Sequence, residues 1–379
     1  MIYVQHLLGV GHLQRSLQLA AELARHDFEV DLVSGGRPQS LPIAQGIKFH
    51  QLPAVYSPDG SFSRLLDAND NEIDADWRDG RKQQLLEIFT SCAPQVLITE
   101  SFPFGRRMMR FELIPLLVAA RDSPDCLQIV ASIRDILQPR SKPGRNQETC
   151  ELIEKFYHHV LVHGDQKVAR LADSFALVDH IQHKVCYSGY ICAADSVSPP
   201  GNEGSDEVLV SAGGSATGFD ILKTAVAAKP LSSLKDLNWR ILVSPSIDEF
   251  RLDELKRLAG DGVSIERNRP DFSGLVKRAR LSISQAGYNT ITDILASTTA
   301  AVVIPYAEAE EIEQTMRAQI LQRHGRLVML QQDELSAATM AAAIEQASKQ
   351  HLPLEVNLAG ATNSAAMISQ WLSDAMAAK

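Results

Sequence analysis

The sequence predicts an α/β protein built from two Rossmann-like domains facing across a cleft. Three observations carry that expectation. Short β-rich runs alternate with stretches of helical period along the chain, the mark of parallel sheets covered on both faces. A segment at residues 193–206, AADSVSPPGNEGSD, is rich in Pro, Gly, Ser and acid and carries no period. Small-residue turns follow strands and lead into helices near residues 9–12, 211–218 and 284–290. At 379 residues the chain is too long for one ordinary core. The division therefore predicts domains at 1–192 and 207–379 with 193–206 as linker, and leaves the last helix, near 364–376, free to pack on either.

Taken in order, Ile2–Val4 opens the chain as a strand, and Leu13, Leu17, Ala20, Ala21 and Ala24 then recur at helical spacing. Residues 28–33 read as the next strand. Residues 56–81 are polar and irregular, with a run of acids from Asp67 to Asp79, and read as a long loop over the ligand edge or a mobile lid. Strands follow at 95–99, 127–132 and 160–162. Residues 102–118 mix Arg106, Arg107 and Arg110 with Met108, Met109, Phe111, Leu113 and Leu116. That mixture suits a core helix with a basic face or a helix on a membrane surface, and Pro115 should limit its length. The second half repeats the theme with strands at Val208–Ser211, 240–243, 281–283 and 301–304, and a helix at 291–296.

Bulk properties exclude several classes. The 45% hydrophobic and 22% charged content is that of a soluble globular protein. A net charge of −9 disfavours nucleic acid, whose phosphates need a basic surface. Cys92, Cys126, Cys150, Cys186 and Cys192 are odd in number and widely spaced, with no CxxC, which argues against a disulfide framework or a zinc site and for the cytoplasm. No basic, apolar leader opens the sequence, and no apolar run approaches the roughly 20 residues of a spanning helix.

The turns carry the candidate chemistry. Residues 284–293, SQAGYNTITD, join a short apolar strand to a helix, and such a turn presents backbone N–H groups to an anion. Ser284, Gly287, Tyr288, Asn289 and Thr290 line it, and Asp293 one turn later can take a ribose diol. The pattern reads as a pocket for a nucleoside diphosphate. Gly213, Gly214, Ser215 and Thr217 form a second phosphate-cradling turn that lacks the GK[ST] ending of a Walker loop. Glu313 and Gln314 stand at a helix start, where they can bond sugar hydroxyls. In the first half, Gly11 and His12 follow strand one. Gln14 stands where a dinucleotide fingerprint needs a small residue, so NAD is disfavoured. A helix start draws the His12 basicity toward that of a general base. Glu100, Arg134 and Asp135 end two further strands at the ligand edge and are acceptor-side candidates, Glu100 and Asp135 with catalytic parts beside His12. His163 and Asp165 hold a similar position.

These patches resemble the two-domain glycosyltransferases of the GT-B fold. Within them they are similar to the family that includes the lipid-linked N-acetylglucosaminyl transferase of peptidoglycan synthesis, with its family 28 C-terminal domain. Gly11-His12, Gly213-Gly214-Ser215 and residues 286–293 match three of its loops, Asp293 standing where the family has Glu. Residues 304–318 match its "VPF…QQ…NA" stretch, with Glu313 and Arg317 in place of Gln and Asn. The overall pattern looks closest to an uncharacterised bacterial branch of predicted glycosyltransferases. The resemblance implies transfer of a sugar from a nucleoside-diphosphate sugar, UDP favoured, to an unknown acceptor hydroxyl. It implies inversion, His12 as base, backbone N–H groups on the diphosphate, and no metal or cofactor. A peripheral contact with the inner face of a membrane stays open. The run Gly11 to Arg15 also looks like nucleotide-sugar hydrolases or epimerases of the same fold, and a non-catalytic nucleotide-sugar-binding or partner subunit is a further alternative.

Overall fold

The computed structural model describes residues 1–7, 9–58, 64–138, 144–192, 198–213, 216–307, 312–350 and 353–379, with the side chains of all but 216, 217 and 350. The chain forms two compact units, Met1–Cys192 with Asn357–Lys379, and Ala193–Val356.

The first unit is a parallel sheet of β1 (Ile2–Val4), β2 (Val30–Ser34), β3 (Ile47–Gln51), β4 (Val96–Glu100), β5 (Gln128–Arg134), β6 (His159–His163) and β7 (Val185–Tyr187). Its order is β3-β2-β1-β4-β5-β6-β7. The central strands are apolar at nearly every position because helices cover both faces. On one face, α1 (Gly11–Arg25) lays Leu13, Leu19 and Leu23 against Ile2, Val4 and Leu32. On the other, α2 (Ala75–Cys92), α3 (Arg110–Asp122) and α4 (Arg145–Phe156) pack Leu85, Phe89, Leu113, Leu116 and Ile153 against Tyr3, Val33 and Leu97.

The second unit repeats the plan with β8 (Val208–Ser211), β9 (Trp239–Val243), β10 (Val263–Arg267), β11 (Leu281–Ser284), β12 (Ala300–Val303) and β13 (Val328–Met329). The parallel order is β10-β9-β8-β11-β12-β13. Its helices are α5 (Ala216–Ala228), α6 (Glu249–Leu258), α7 (Phe272–Arg278), α8 (Tyr288–Leu295), α9 (Glu313–Arg323) and α10 (Ala337–Gln350). The last helix, α11 (Gly360–Ala377), packs on the first unit, where Ala365 and Ile368 join the cluster around Leu13 and Ile191.

Three local expectations change. β3, β7, β10 and β13 escaped the sequence reading, and all four are the outermost strands of their sheets. Residues 75–81 are helical rather than loop, because Asp74 caps α2 by accepting from the Trp77 N–H at 2.8 Å. Pro115 sits inside α3, which continues to Asp122. One backbone bond is lost there, and the burial of Leu113, Leu116, Leu117 and Ala120 offsets it. α3 is thus a core helix, and Arg107 and Arg110 beside it both pair with Glu148 of α4.

Candidate active site

In each sheet the strand order runs outward in opposite directions from one adjacent pair, β1/β4 in the first unit and β8/β11 in the second. Open α/β sheets bind ligands outside the carboxyl ends of the strands at such a reversal.

At the first reversal, His12 is the second residue of α1 and Glu100 the last of β4. The His12 Nδ1 lies 2.7 Å from Glu100 Oε1. Arg15, one turn further along α1, donates to the same oxygen, and so does Ser101 Oγ at 2.8 Å. Glu100 is 1% exposed, whereas the His12 side chain keeps 15% exposure. Burial pushes the Glu100 carboxyl up, but the charges of His12 and Arg15 and the bond from the imidazole outweigh it, so Glu100 is ionised. Burial holds His12 well below the usual histidine range against the pull of Glu100, with Arg106 and Arg134 pushing the same way as burial. The imidazole is therefore neutral at pH 7. With Nδ1–H donating to a carboxylate, the lone pair is left on Nε2.

The loop after β4 is strained around this pair. Ser101 and Arg106 adopt left-handed φ of 64° and 55°, and Arg106 Nε donates to the Gln5 carbonyl at 2.6 Å. Gly11 opens α1 and Arg134 closes β5. Asp135 differs from its expected neighbours: it is 0% exposed and accepts from the Tyr190 hydroxyl at 3.3 Å. His163 is likewise buried between Ser132 Oγ at 2.8 Å and Ser188 Oγ at 3.0 Å, which makes it a packing residue.

At the second reversal, the Gly213 N–H donates to Gln285 Oε1 at 2.9 Å, tying the turn after β8 to the turn after β11. A Cβ on Gly213 would stand 2.7 Å from that oxygen, so any larger residue there would displace the Gln285 amide. Gln285 Nε2 and Ser284 Oγ are both buried without a hydrogen-bond partner among the described residues. Gly214 and Ser215 lie outside the described residues, as does the side chain of Thr217 and the acidic run 308–311.

Gly287 is the N-cap of α8, with Tyr288 buried and Asn289 and Thr290 half-buried in its first turn. Asp293 follows one turn on. It is 8% exposed and accepts from Ser273 Oγ of α7 at 2.5 Å. Burial lifts its carboxyl to about 6 despite that bond and the charge of Lys277. Glu313 and Gln314 turn inward. Glu313 pairs with Arg317 at 2.8 Å, and Arg317 Nη1 donates to the Ala286 carbonyl at 3.1 Å. Gln314 Oε1 accepts from the Ala286 N–H at 3.1 Å and the Tyr306 N–H at 3.0 Å. Both residues brace the β11–α8 turn, and the two departures from the family pattern, Glu313 and Arg317, compensate each other as an ion pair.

Arg15, Gln285 and Arg317 were absent from the sequence-derived candidates. Arg15 and Arg317 had a local signal, their i+3 and i+4 spacing from His12 and Glu313 on one helix face.

Two Rossmann-like units with these reversals define the GT-B class of glycosyltransferase fold. The chain aligns over 98% of its length with the glycotransferase of kitacinnamycin, covering 98% of that chain with a TM-score of 0.64 at 15% identity. It aligns over its full length with the spinosyn rhamnosyltransferase crystallised with thymidine diphosphate, covering 96% of that chain with a TM-score of 0.60 at 16% identity. At such identities the likeness is one of fold. Residues 208–371 match the glycosyltransferase family 28 C-terminal domain. The fold is that of the GT-B glycosyltransferases, and the second half of the chain carries the family 28 C-terminal domain. It is 29% identical over 193 residues to the UDP-N-acetylglucosamine–N-acetylmuramyl-(pentapeptide) pyrophosphoryl-undecaprenol N-acetylglucosamine transferase of Paramagnetospirillum magneticum, a match over 47% of this chain. The chain spans about half the length of that relative, 51%. No helix among the described residues is long and apolar enough to cross a membrane.

Proposed function

We propose that the protein moves a sugar from a nucleoside-diphosphate sugar to an acceptor hydroxyl with inversion at the anomeric carbon. The observation that carries this reading is the neutral His12 held through Nδ1 by the buried, ionised Glu100 at the first reversal. His12 Nε2 takes the acceptor hydroxyl proton as the oxygen forms its bond to the anomeric carbon. The bond from that carbon to the diphosphate breaks, and the nucleoside diphosphate leaves with the electron pair. Glu100 stabilises the imidazolium that forms. Arg15 and Ser101 orient Glu100, and Asp135 is a positioning residue behind Arg134.

The donor is assigned to the second unit. Gly214, Ser215 and Thr217 with the β11–α8 turn would present N–H groups to the diphosphate, Gly213 would hold the first turn to Gln285, and the Gln285 amide nitrogen, without a partner among the described residues, is a further donor. Leaving-group charge is stabilised by these groups rather than by a required metal. Ser284, Gly287, Tyr288, Asn289 and Thr290 shape the turn, Asp293 takes the ribose diol, and Glu313 and Gln314 act by holding the turn in place. The 29%-identical relative is a UDP-N-acetylglucosamine-dependent transferase, which favours UDP, and the thymidine diphosphate complex of a fold neighbour supplies the alternative base. The described cysteines are all free, which fits a reducing compartment.

The test is a thermal-shift titration with UDP, GDP and dTDP, followed by turnover of the matching sugar nucleotides with candidate acceptors. One diphosphate should raise the Tm by several degrees at about 100 times its Kd. Sugar transfer should fall about 10²–10⁴-fold in His12→Ala. Release of free sugar at full rate without acceptor would instead make the protein a hydrolase. No shift with any diphosphate would overturn the reading.

A further inference from the structure

Asp31, His50 and Cys92 come together on one face of the first sheet, away from the carboxyl ends that hold His12 and Glu100. Asp31 is the second residue of β2, His50 the fourth of β3 and Cys92 the last of α2. The parallel register sets Val33 opposite His50, so Asp31, two residues before Val33, shares that face. His50 Nε2 lies 2.6 Å from Asp31 Oδ1, and one ligand atom from each of the three residues lies within 4.8 Å of the others. Tetrahedral zinc, with bonds of about 2.0–2.3 Å, needs its ligand atoms about 3.3–3.8 Å apart, so small side-chain rotations suffice. All three residues are part-buried, which leaves solvent to supply a fourth ligand.

We propose that Asp31, His50 and Cys92 bind one divalent cation of the zinc class as a structural site. A mixed carboxylate, imidazole and thiolate set selects a borderline-soft dication over calcium or magnesium. The carboxylate and thiolate together cancel its two charges, while the Met1 ammonium and Lys48 stand near the same side chains. Cys92 binds as the thiolate, its thiol proton leaving as the sulfur–metal bond forms. Binding therefore releases one proton to solvent, and the sulfur pair goes to the metal. Ligation through Nε2 leaves a proton on Nδ1. The cation would staple β3, which pairs only with β2, and the end of α2 to the sheet. None of this depends on the transferase reading.

The test uses the full chain, treated with chelator and titrated with Co²⁺. A thiolate-to-cobalt absorption in the near ultraviolet should saturate at one equivalent, release one proton, and vanish in Cys92→Ser while His50→Gln weakens it. A second measurement needs no variant. Zinc at about 100 times its Kd leaves roughly one site in a hundred free, so it should slow alkylation of Cys92 about 100-fold, read by mass spectrometry. Absence of the band, a band that survives Cys92→Ser, or equal alkylation with and without zinc would each overturn the proposal.

Discussion

His12 and Glu100 are separated by 88 residues in sequence and 2.7 Å in space. Position made them legible, because each ends or follows a strand at the ligand edge. Their pairing was not legible, since only the parallel register of β1 against β4 brings them together. The same holds for Gln285 and Arg317, whose partners Gly213 and Ala286 are chosen by the turns they brace. Glu100→Gln keeps an acceptor for Nδ1–H but removes the charge that stabilises the imidazolium. A loss of kcat of about 10²–10⁴-fold is expected in the folded variant, together with a lower melting temperature because the buried Arg15 guanidinium loses its carboxylate. Because burial depresses His12, the acid limb of kcat/KM should fall below pH 6.5. Asp293 gives the opposite sign. Its carboxyl is raised to about 6 in the folded protein from an ordinary 3.8. Between those values the folded state holds more protons than the unfolded one, so stability is greatest below pH 4 and falls as pH rises through 6. The total is about 3 kcal/mol. Asp293→Asn should remove that slope and be more stable than the parent at pH 8, as urea melts at pH 5 and pH 8 would show. A slope that persists would place the titration elsewhere.

Among the elements, the central strands were legible and the edges were not. A strand buried on both faces is apolar along most of its length, as at Val96, Leu97 and Ile98 of β4, whereas IKFHQ of β3 and VSIER of β10 are half in water and carry charge. α2 was also half-hidden, because its first turns are acidic and its inward residue is Arg81. That guanidinium is buried, bonds the Glu112 carboxylate of α3 through Nε at 2.7 Å and Nη2 at 2.9 Å, and donates to Gln5 Oε1 at 2.7 Å and the Gly35 carbonyl at 2.9 Å. Arg81 thereby ties α2 and α3 to the ends of β1 and β2. Removing one member of a fully buried pair leaves an uncompensated charge, so Arg81→Met should cost about 3–5 kcal/mol in chemical denaturation. Replacing Arg81 and Glu112 together with apolar residues should cost much less than that single change. Equal losses for the single and double variants would show that the pair is not the source of the effect.

For the whole molecule, the sequence showed two halves but left α11 without an owner, because an apolar stripe such as Ala361, Ala365, Ile368 and Leu372 can cover either core. In the structure α11 closes the first unit. Gly360 N–H donates to the Tyr190 carbonyl at 3.0 Å, Asn363 Nδ2 to the Ser188 carbonyl at 2.7 Å, and Gln128 Nε2 to the Trp371 carbonyl at 2.9 Å. The Trp371 ring stacks on His159 at 3.8 Å between centroids. A Cβ on Gly360 would collide with the backbone of Gly189 and Tyr190, so helix and strand end meet only through glycine. The second unit has a core of its own, in which Met340, Ile344 and Ala347 of α10 cover Val208, Ile283 and Val302. Residues 193–356 expressed alone should therefore melt cooperatively. Residues 1–192 alone should not, since Leu13, Leu19 and Ile191 lose the cover of Ala365 and Ile368. Supplying residues 357–379 as a separate peptide should restore a cooperative melt, and the Gly360→Val peptide should fail to do so. If residues 1–192 melted alike with and without the peptide, α11 would be dispensable to the first unit, and its docking would have to serve the connection between the halves instead.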